Sequence, residues 1–234
     1  MNSTEHNPLC IGQILLTSFY VLVFPFLVLF LSGDWKWLEG WIFAVWSVSL
    51  TLTTLIYLYR RDPALLAERF KQPGAGNEKA WDRFVVYALQ LLFWVWIIIT
   101  PLDAKLYSWS PDFPMWLKSL GGIALLPAFF FFYRSFTDNT FLSPLVRIQS
   151  ERKQQVVSTG VYGFVRHPMY LGAICLFIGI PVWLGSRLGA LLGFVASLLL
   201  VGRIFGEEKM LVEELEGYQV YKNKVKYRLL PLVW

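Results

Sequence analysis

Six long apolar runs decide what this chain can become. They cover residues 11–31, 38–59, 84–101, 115–133, 169–184 and 188–205. Each approaches the roughly 20 apolar residues that a helix needs to cross a bilayer core of about 30 Å. The runs are continuous rather than alternating, which favours helices over a barrel, because a helix satisfies every backbone group inside its own segment. Charged residues make up only 16% of the chain, against about 25% in an ordinary soluble domain. A disordered chain is excluded too, since 56% of the residues are apolar and 18% aromatic, enough to offset chain entropy. Run five is the shortest and is followed at once by Gly185-Ser186-Arg187, so runs five and six read as a tight helical hairpin. The expected fold is an all-α integral membrane protein of about six transmembrane helices. It forms one domain over residues 1–234, with N-terminal helices in 1–135 and the motif-bearing region in 136–234.

Basic residues set the orientation, because cytoplasmic loops carry an excess of Lys and Arg. With six spans, the N-terminus, the loops after runs two and four, and the C-terminus share one face. Seventeen of the 21 basic residues fall on that face, and Lys36, Lys105, Lys118 and Arg187 fall on the other. Both termini are therefore expected in the cytoplasm of a multi-pass protein. The formal net charge of +5 sits on the same face and is accounted for by anionic lipid headgroups, so no nucleic-acid partner is implied.

Cys10 and Cys175 are the only cysteines and lie at or within predicted spans, which excludes a disulfide framework. With them, His6 and His167 are the only histidines, so no metal site is expected. The first run is too long, and lacks the basic leader, for a cleaved signal peptide, and is read as a permanent span. Asn2-Ser3-Thr4 matches a glycosylation acceptor but falls on the predicted cytoplasmic face.

The polar residues of the second half are concentrated between runs four and five. Thr137-Asp138-Asn139-Thr140 and then residues 149–158 make a long loop in an economical chain, which marks a candidate functional element. It leads into Gly160-Val161-Tyr162-Gly163-Phe164-Val165-Arg166-His167-Pro168-Met169-Tyr170-Leu171-Gly172. Pro168 suits the first turn of a helix, where its missing N–H is not needed. His167 then stands at the helix start, where unpaired N–H groups and the dipole favour an anion. The same Arg166-His167 pair would equally serve as a headgroup-level anchor.

A second cluster, Arg203-Ile204-Phe205-Gly206-Glu207-Glu208, stands where run six ends. Arg203 and Glu207 are four apart, on one helical face and within reach of each other. An ionisable residue at this depth is expensive unless paired or facing a polar cavity. The two readings are a functional pair and a simple helix-end salt bridge, with Glu208 a solvated neighbour. Further on, Leu211, Leu215, Tyr218 and Val225 have the spacing of an amphipathic cytosolic helix, with Gly217 a possible break. Pro231 prevents the end from continuing as helix, leaving an apolar tail able to fold back over a site. Glycine-rich nucleotide loops, HExxH and a credible Ser/His/Asp set are all missing.

The segment from Gly160 through Arg166-His167-Pro168-Met169-Tyr170-Leu171-Gly172, with Glu207-Glu208-Lys209-Met210-Leu211, Gly217-Tyr218, Tyr221 and the Arg228/Pro231 ending, resembles the isoprenylcysteine carboxyl methyltransferase family. That family belongs to a wider group of integral-membrane methyltransferases that includes phospholipid N-methyltransferases. The resemblance covers roughly residues 136–234. It implies S-adenosylmethionine as the cofactor, held by Gln149, by Gln154, Gln155, Val156 and Val157, by Tyr162, by His167, Pro168, Met169 and Tyr170, and by Glu207. It also implies that Arg203 contacts the substrate carboxylate, and that the partner is a lipid or prenylated substrate arriving from the bilayer. Three readings follow. The preferred one is O-methylation of a prenylated cysteine or similar lipid-linked acid. The second is a phospholipid N-methyltransferase, and the third a membrane protein without methyl transfer, either an assembly factor or a reductase-like relative.

Overall fold

A computed structural model describes residues 11–74 and 77–234; His6, Cys10 and the Asn2-Ser3-Thr4 sequence lie outside them. Among the described residues every regular element is helical. In chain order these are α1 (Ile11–Ser32), α2 (Leu38–Arg61), α3 (Pro63–Arg69), α4 (Ala80–Pro101), α5 (Met115–Asp138), α6 (Pro168–Leu184), α7 (Arg187–Glu214) and α8 (Tyr218–Lys224). A π-helical turn, Leu102–Leu106, extends α4, and 3-10 turns occupy Ser150–Arg152 and Gly160–Gly163. The helices α2, α4 with its extension, α5 and α7 are long and apolar enough to cross a membrane, while Leu22–Ser32 of α1 and the whole of α6 are shorter apolar stretches. Large apolar side chains such as Phe84, Leu91, Leu126 and Phe194 stand exposed on their outer faces, where lipid rather than water would cover them.

The interior is built where small residues let helices approach. A Cβ added to Gly121 of α5 would lie 2.4 Å from the Trp183 backbone N and 2.8 Å from the Gly179 carbonyl. α5 and α6 thus touch backbone to backbone, the packing that small residues allow between membrane helices. Val28, Phe43, Trp96, Ile97, Leu125, Ile180 and Leu184 fill the core beside this contact. Only Gly185 and Ser186 separate α6 from α7. Gly185 takes the left-handed conformation that ends α6, and the Ser186 hydroxyl accepts from the Gly189 N–H to cap α7. Buried Asp103 locks the turn, accepting from the Ser186 and Ser110 hydroxyls at 2.6 and 2.8 Å and from the Leu188 N–H at 3.0 Å.

Three helices outrun their apolar sequences. α4 begins at Ala80 and takes in Asp82, α5 runs to Asp138, and α7 continues to Glu214. At about 1.5 Å per residue, the 28 residues of α7 exceed a bilayer core. Its end therefore projects; there Arg203 and Glu208 are buried with partners, while Lys209, Glu213 and Glu214 stand exposed. The apolar pattern of Leu211, Leu215, Tyr218 and Val225 does not form one amphipathic helix. The first lies within α7, Gly217 breaks the chain at φ +81°, and α8 follows as two turns. The four residues nevertheless bury together, against Val146 and Met210.

Candidate functional site

The site begins where the chain enters α6. Asp138, the last residue of α5, accepts from the Val161 N–H at 2.9 Å and pairs with Arg134 at 2.9 Å. Gly160 sits against that carboxylate at φ +58°, and a Cβ there would fall 1.9 Å from Asp138 Oδ2. Both the backbone conformation and the space demand glycine. The 3-10 turn that follows buries Tyr162 and delivers the chain to His167, the N-cap of α6, with Pro168 in its first turn.

The end of α7 meets this entry. The Tyr170 hydroxyl donates to Glu207 Oε2 at 2.6 Å, joining residues 37 positions apart. Around this contact opens a cleft with about 820 Å³ of space, the open solvent at its mouth included. Its walls are Asn139, Phe141 to Ser143, Leu145 to Arg147, Gln154 to Val157, Tyr162, Arg166 to Tyr170, Glu207, Met210, Leu211, Leu215, Tyr218 and Tyr221. The lining is mixed: apolar and aromatic side chains, with a carboxylate and several amide- and hydroxyl-bearing residues among them.

Behind the cleft, Glu208 is a hub and not a solvated neighbour. It is buried and receives Arg166 Nε at 2.6 Å, His167 Nε2 at 3.3 Å and Arg228 Nε at 2.9 Å. The segment after α8 straps across the same point. The Arg166 and His167 N–H groups donate to the carbonyls of Tyr227 and Arg228 at 3.0 and 2.9 Å, and Arg166 Nη1 donates to the Val225 carbonyl at 2.6 Å. Arg228 lies over the rings of Phe205 and Trp234, and Leu229 is buried against Tyr170, Leu171, Leu200 and Ile204. The apolar ending thus folds back over the base of α6 and α7.

Arg203 does not pair with Glu207, as the spacing predicted. Its partner is Asp82 of α4, which is fully buried and accepts from Nε at 2.6 Å and Nη2 at 2.9 Å, while Nη2 also reaches the Pro144 carbonyl at 2.8 Å. The Arg203 guanidinium lies beside the Tyr170 ring, 5.9 Å from its centroid, set back from the cleft lining. Asp82 also accepts from the Val146 N–H at 2.7 Å, so one carboxylate fixes both Arg203 and the cleft loop.

A second buried ion network holds the same loop. Arg147 forks onto both oxygens of Glu68 at 2.9 and 2.8 Å and reaches Glu151 at 2.5 Å; Ser143 and Lys71 complete Glu68. Burial opposes ionisation of Glu68, but hydrogen bonds from Arg147, Lys71 and Ser143 outweigh it and hold the carboxyl below its ordinary range. The Arg147 bond likewise holds Glu151 down, to about 2, while the bonds to Glu68 first and Glu151 second raise the guanidinium.

Of the residues that the sequence assigned to a cofactor, Gln154, Gln155, Val156, Val157, Tyr162, His167, Pro168, Met169, Tyr170 and Glu207 line the cleft. Gln149 does not. It is fully buried, donating from Nε2 to the Phe141 carbonyl at 2.6 Å and accepting from Arg152 at 2.7 Å, and thereby braces the loop. The sequence reading omitted Asp82, Glu68 and the wall from Phe141 to Arg147. Asp82 lies among the charged residues Glu78, Lys79 and Arg83, so no local signal singled it out.

Residues 118–216 match the sequence profile of the phospholipid methyltransferase family, a stretch that contains most of the cleft. That match covers less than half of the chain. Among curated relatives, protein-S-isoprenylcysteine O-methyltransferase B of Arabidopsis thaliana is 30% identical over 125 residues, 52% of this chain and 58% of that protein. The protein-S-isoprenylcysteine O-methyltransferase of Saccharomyces cerevisiae is 39% identical over 85 residues, 36% of each chain. The matches thus span about half or less of these methyltransferases. A solved structure of a eukaryotic intramembrane Ras methyltransferase, an isoprenylcysteine carboxyl methyltransferase, superposes with a TM-score of 0.55 at 19% identity, over 94% of this chain and 77% of that one. That likeness concerns the fold.

Proposed function

We propose that this chain is an S-adenosylmethionine-dependent membrane methyltransferase that esterifies the carboxylate of an isoprenylated cysteine or a similar lipid-linked acid. The observation that carries the reading is the Tyr170–Glu207 contact, which joins two distant stretches of chain as the walls of one cleft. The names of the curated relatives support the acceptor class. Gln154 to Val157, Tyr162, His167 to Tyr170 and Glu207 would hold the cofactor, with Glu207 accepting from a ribose hydroxyl and the start of α6 facing the carboxylate end. Bound there, S-adenosylmethionine supplies a methyl group on a sulfonium leaving group. The chain then has to position and desolvate the reacting atoms and needs no acid or base, because a carboxylate acceptor is already ionised at neutral pH.

Arg203, held by Asp82 through Nε and Nη2, keeps Nη1 for orienting the acceptor. In this reading six helices span the bilayer as one domain with both termini in the cytoplasm, the cofactor enters from the cytosol, and the lipidated acceptor arrives sideways between helices. Calorimetric titration of purified protein with S-adenosylhomocysteine tests the cleft assignment. Glu207→Ala and His167→Ala should each weaken binding at least about tenfold, roughly 1.4 kcal/mol, with the melting temperature recorded alongside. Unchanged affinity in both variants rejects the assignment. Transfer of labelled methyl groups to prenylated acids, and not to phospholipid amines, checks the acceptor.

A further inference from the structure

Well-packed proteins leave few buried polar atoms without partners, and each one calls for a reason. Three of those in this chain belong together. The Tyr162 hydroxyl and the Ser135 hydroxyl have no hydrogen-bond partner, although both residues are almost wholly buried. Burial raises the Tyr162 phenol well above its ordinary range, and the nearby Asn139 and Ser135 side chains offset only part of this. Tyr162 is also held through its carbonyl, which accepts from the Tyr221 hydroxyl at 2.8 Å.

The third atom is Nη1 of Arg69, buried and without a partner. Arg69 closes α3 and lies 5.2 Å from the centroid of Phe136, the neighbour of Ser135. Its sequence neighbour Glu68 is no counter-ion, since Arg147, Lys71 and Ser143 already occupy it. No carboxylate among the described residues forms an ion pair with Arg69. Arg69 is instead close enough to Arg203 for the two cations to repel, and also close to Tyr162 and Tyr170. Burial, reinforced by Arg203, lowers Arg69 to about 10, which still leaves it cationic at neutral pH. Two cations brought near each other, beside hydroxyls without a partner, form an arrangement that an anion there would relieve.

We infer that Arg69, with the Ser135 and Tyr162 hydroxyls, forms the receiving site for the carboxylate of the acceptor, on the side of Tyr162 and Tyr170 away from the cofactor. The inference rests on the methyl-transfer reading for its geometry and adds a specificity-determining residue to it. Arg69 supplies the charge that distinguishes an acid from its neutral analogue, and Arg203, restrained by Asp82, orients it.

The test uses full-length protein in detergent and two probes, an S-prenylated N-acetylcysteine and its carboxamide. Wild-type protein should bind the acid at least tenfold more tightly than the amide. Arg69→Gln should abolish that preference and raise KM for the acid at least tenfold, while affinity for S-adenosylhomocysteine stays within twofold. Arg69→Lys should restore part of the preference. If Arg69→Gln retains the preference, the site is rejected. Loss of S-adenosylhomocysteine affinity together with melting temperature would assign Arg69 a purely structural role and also overturn it. Acid-over-amide binding is measurable without turnover. A wild-type protein that shows Arg69-dependent preference but binds no S-adenosylhomocysteine would therefore sink the methyltransferase reading and leave the anion site standing.

Discussion

Adjacent residues on a helix point about 100° apart, so of Glu207 and Glu208 only one can face the cleft. The sequence pointed to Glu207 for the cofactor but gave Glu208 no partner, because the rotation of α7 is set by packing against α4 and α6. In the structure Glu207 meets Tyr170 and the cleft, while Glu208 turns inward to Arg166, His167 and Arg228. Arg203 was misread for the same reason: its nearest acid in sequence is not its nearest in space. The Asp82–Arg203 pair is buried and bidentate, so removing one partner strands a charge and should cost about 3–5 kcal/mol. Asp82→Ala is thus expected to melt well below wild type, and Asp82→Leu/Arg203→Met to recover most of the loss. A single variant as stable as wild type would refute the energetic role given to the pair.

At the scale of elements, the apolar runs located every long helix, because hydrophobic burial leaves a periodic and local record in the sequence. The loop from Asn139 to Ser158 left no such record. Its conformation depends on Asp82, Asn77 and Glu68, more than 60 residues upstream, and no local pattern encodes such partners. The same dependence makes the loop sensitive to acid. The Glu68 and Glu151 carboxyls are depressed in the folded chain, Glu151 to about 2. Their contribution is therefore complete above the unfolded value of about 4.5 and is lost as the pH falls towards 2. Thermal melts in detergent should show wild-type stability declining from pH 5 to 3. Arg147→Met should be less stable at pH 7 and decline less over that interval; parallel pH profiles would count against the network.

For the whole molecule, the division of basic residues makes a geometric claim. The turn from Leu102 to Pro114, with Lys105, should lie on the opposite side of the bilayer from the loop 139–158. Single cysteines introduced at Ser108 and at Lys153, in a background lacking Cys10 and Cys175, should label with a membrane-impermeant reagent from opposite sides of sealed vesicles. Labelling of both from one side would break the six-span arrangement. The strap across Arg166 and His167 carries a further consequence, one of timing. Its carbonyls belong to residues 225–228, which follow every apolar helix in the chain. A nascent polypeptide could therefore have all its helices settled in lipid and still possess no finished binding wall. Synthesis from the N-terminus makes assembly of the bundle and completion of its chemistry two separate events, in that order.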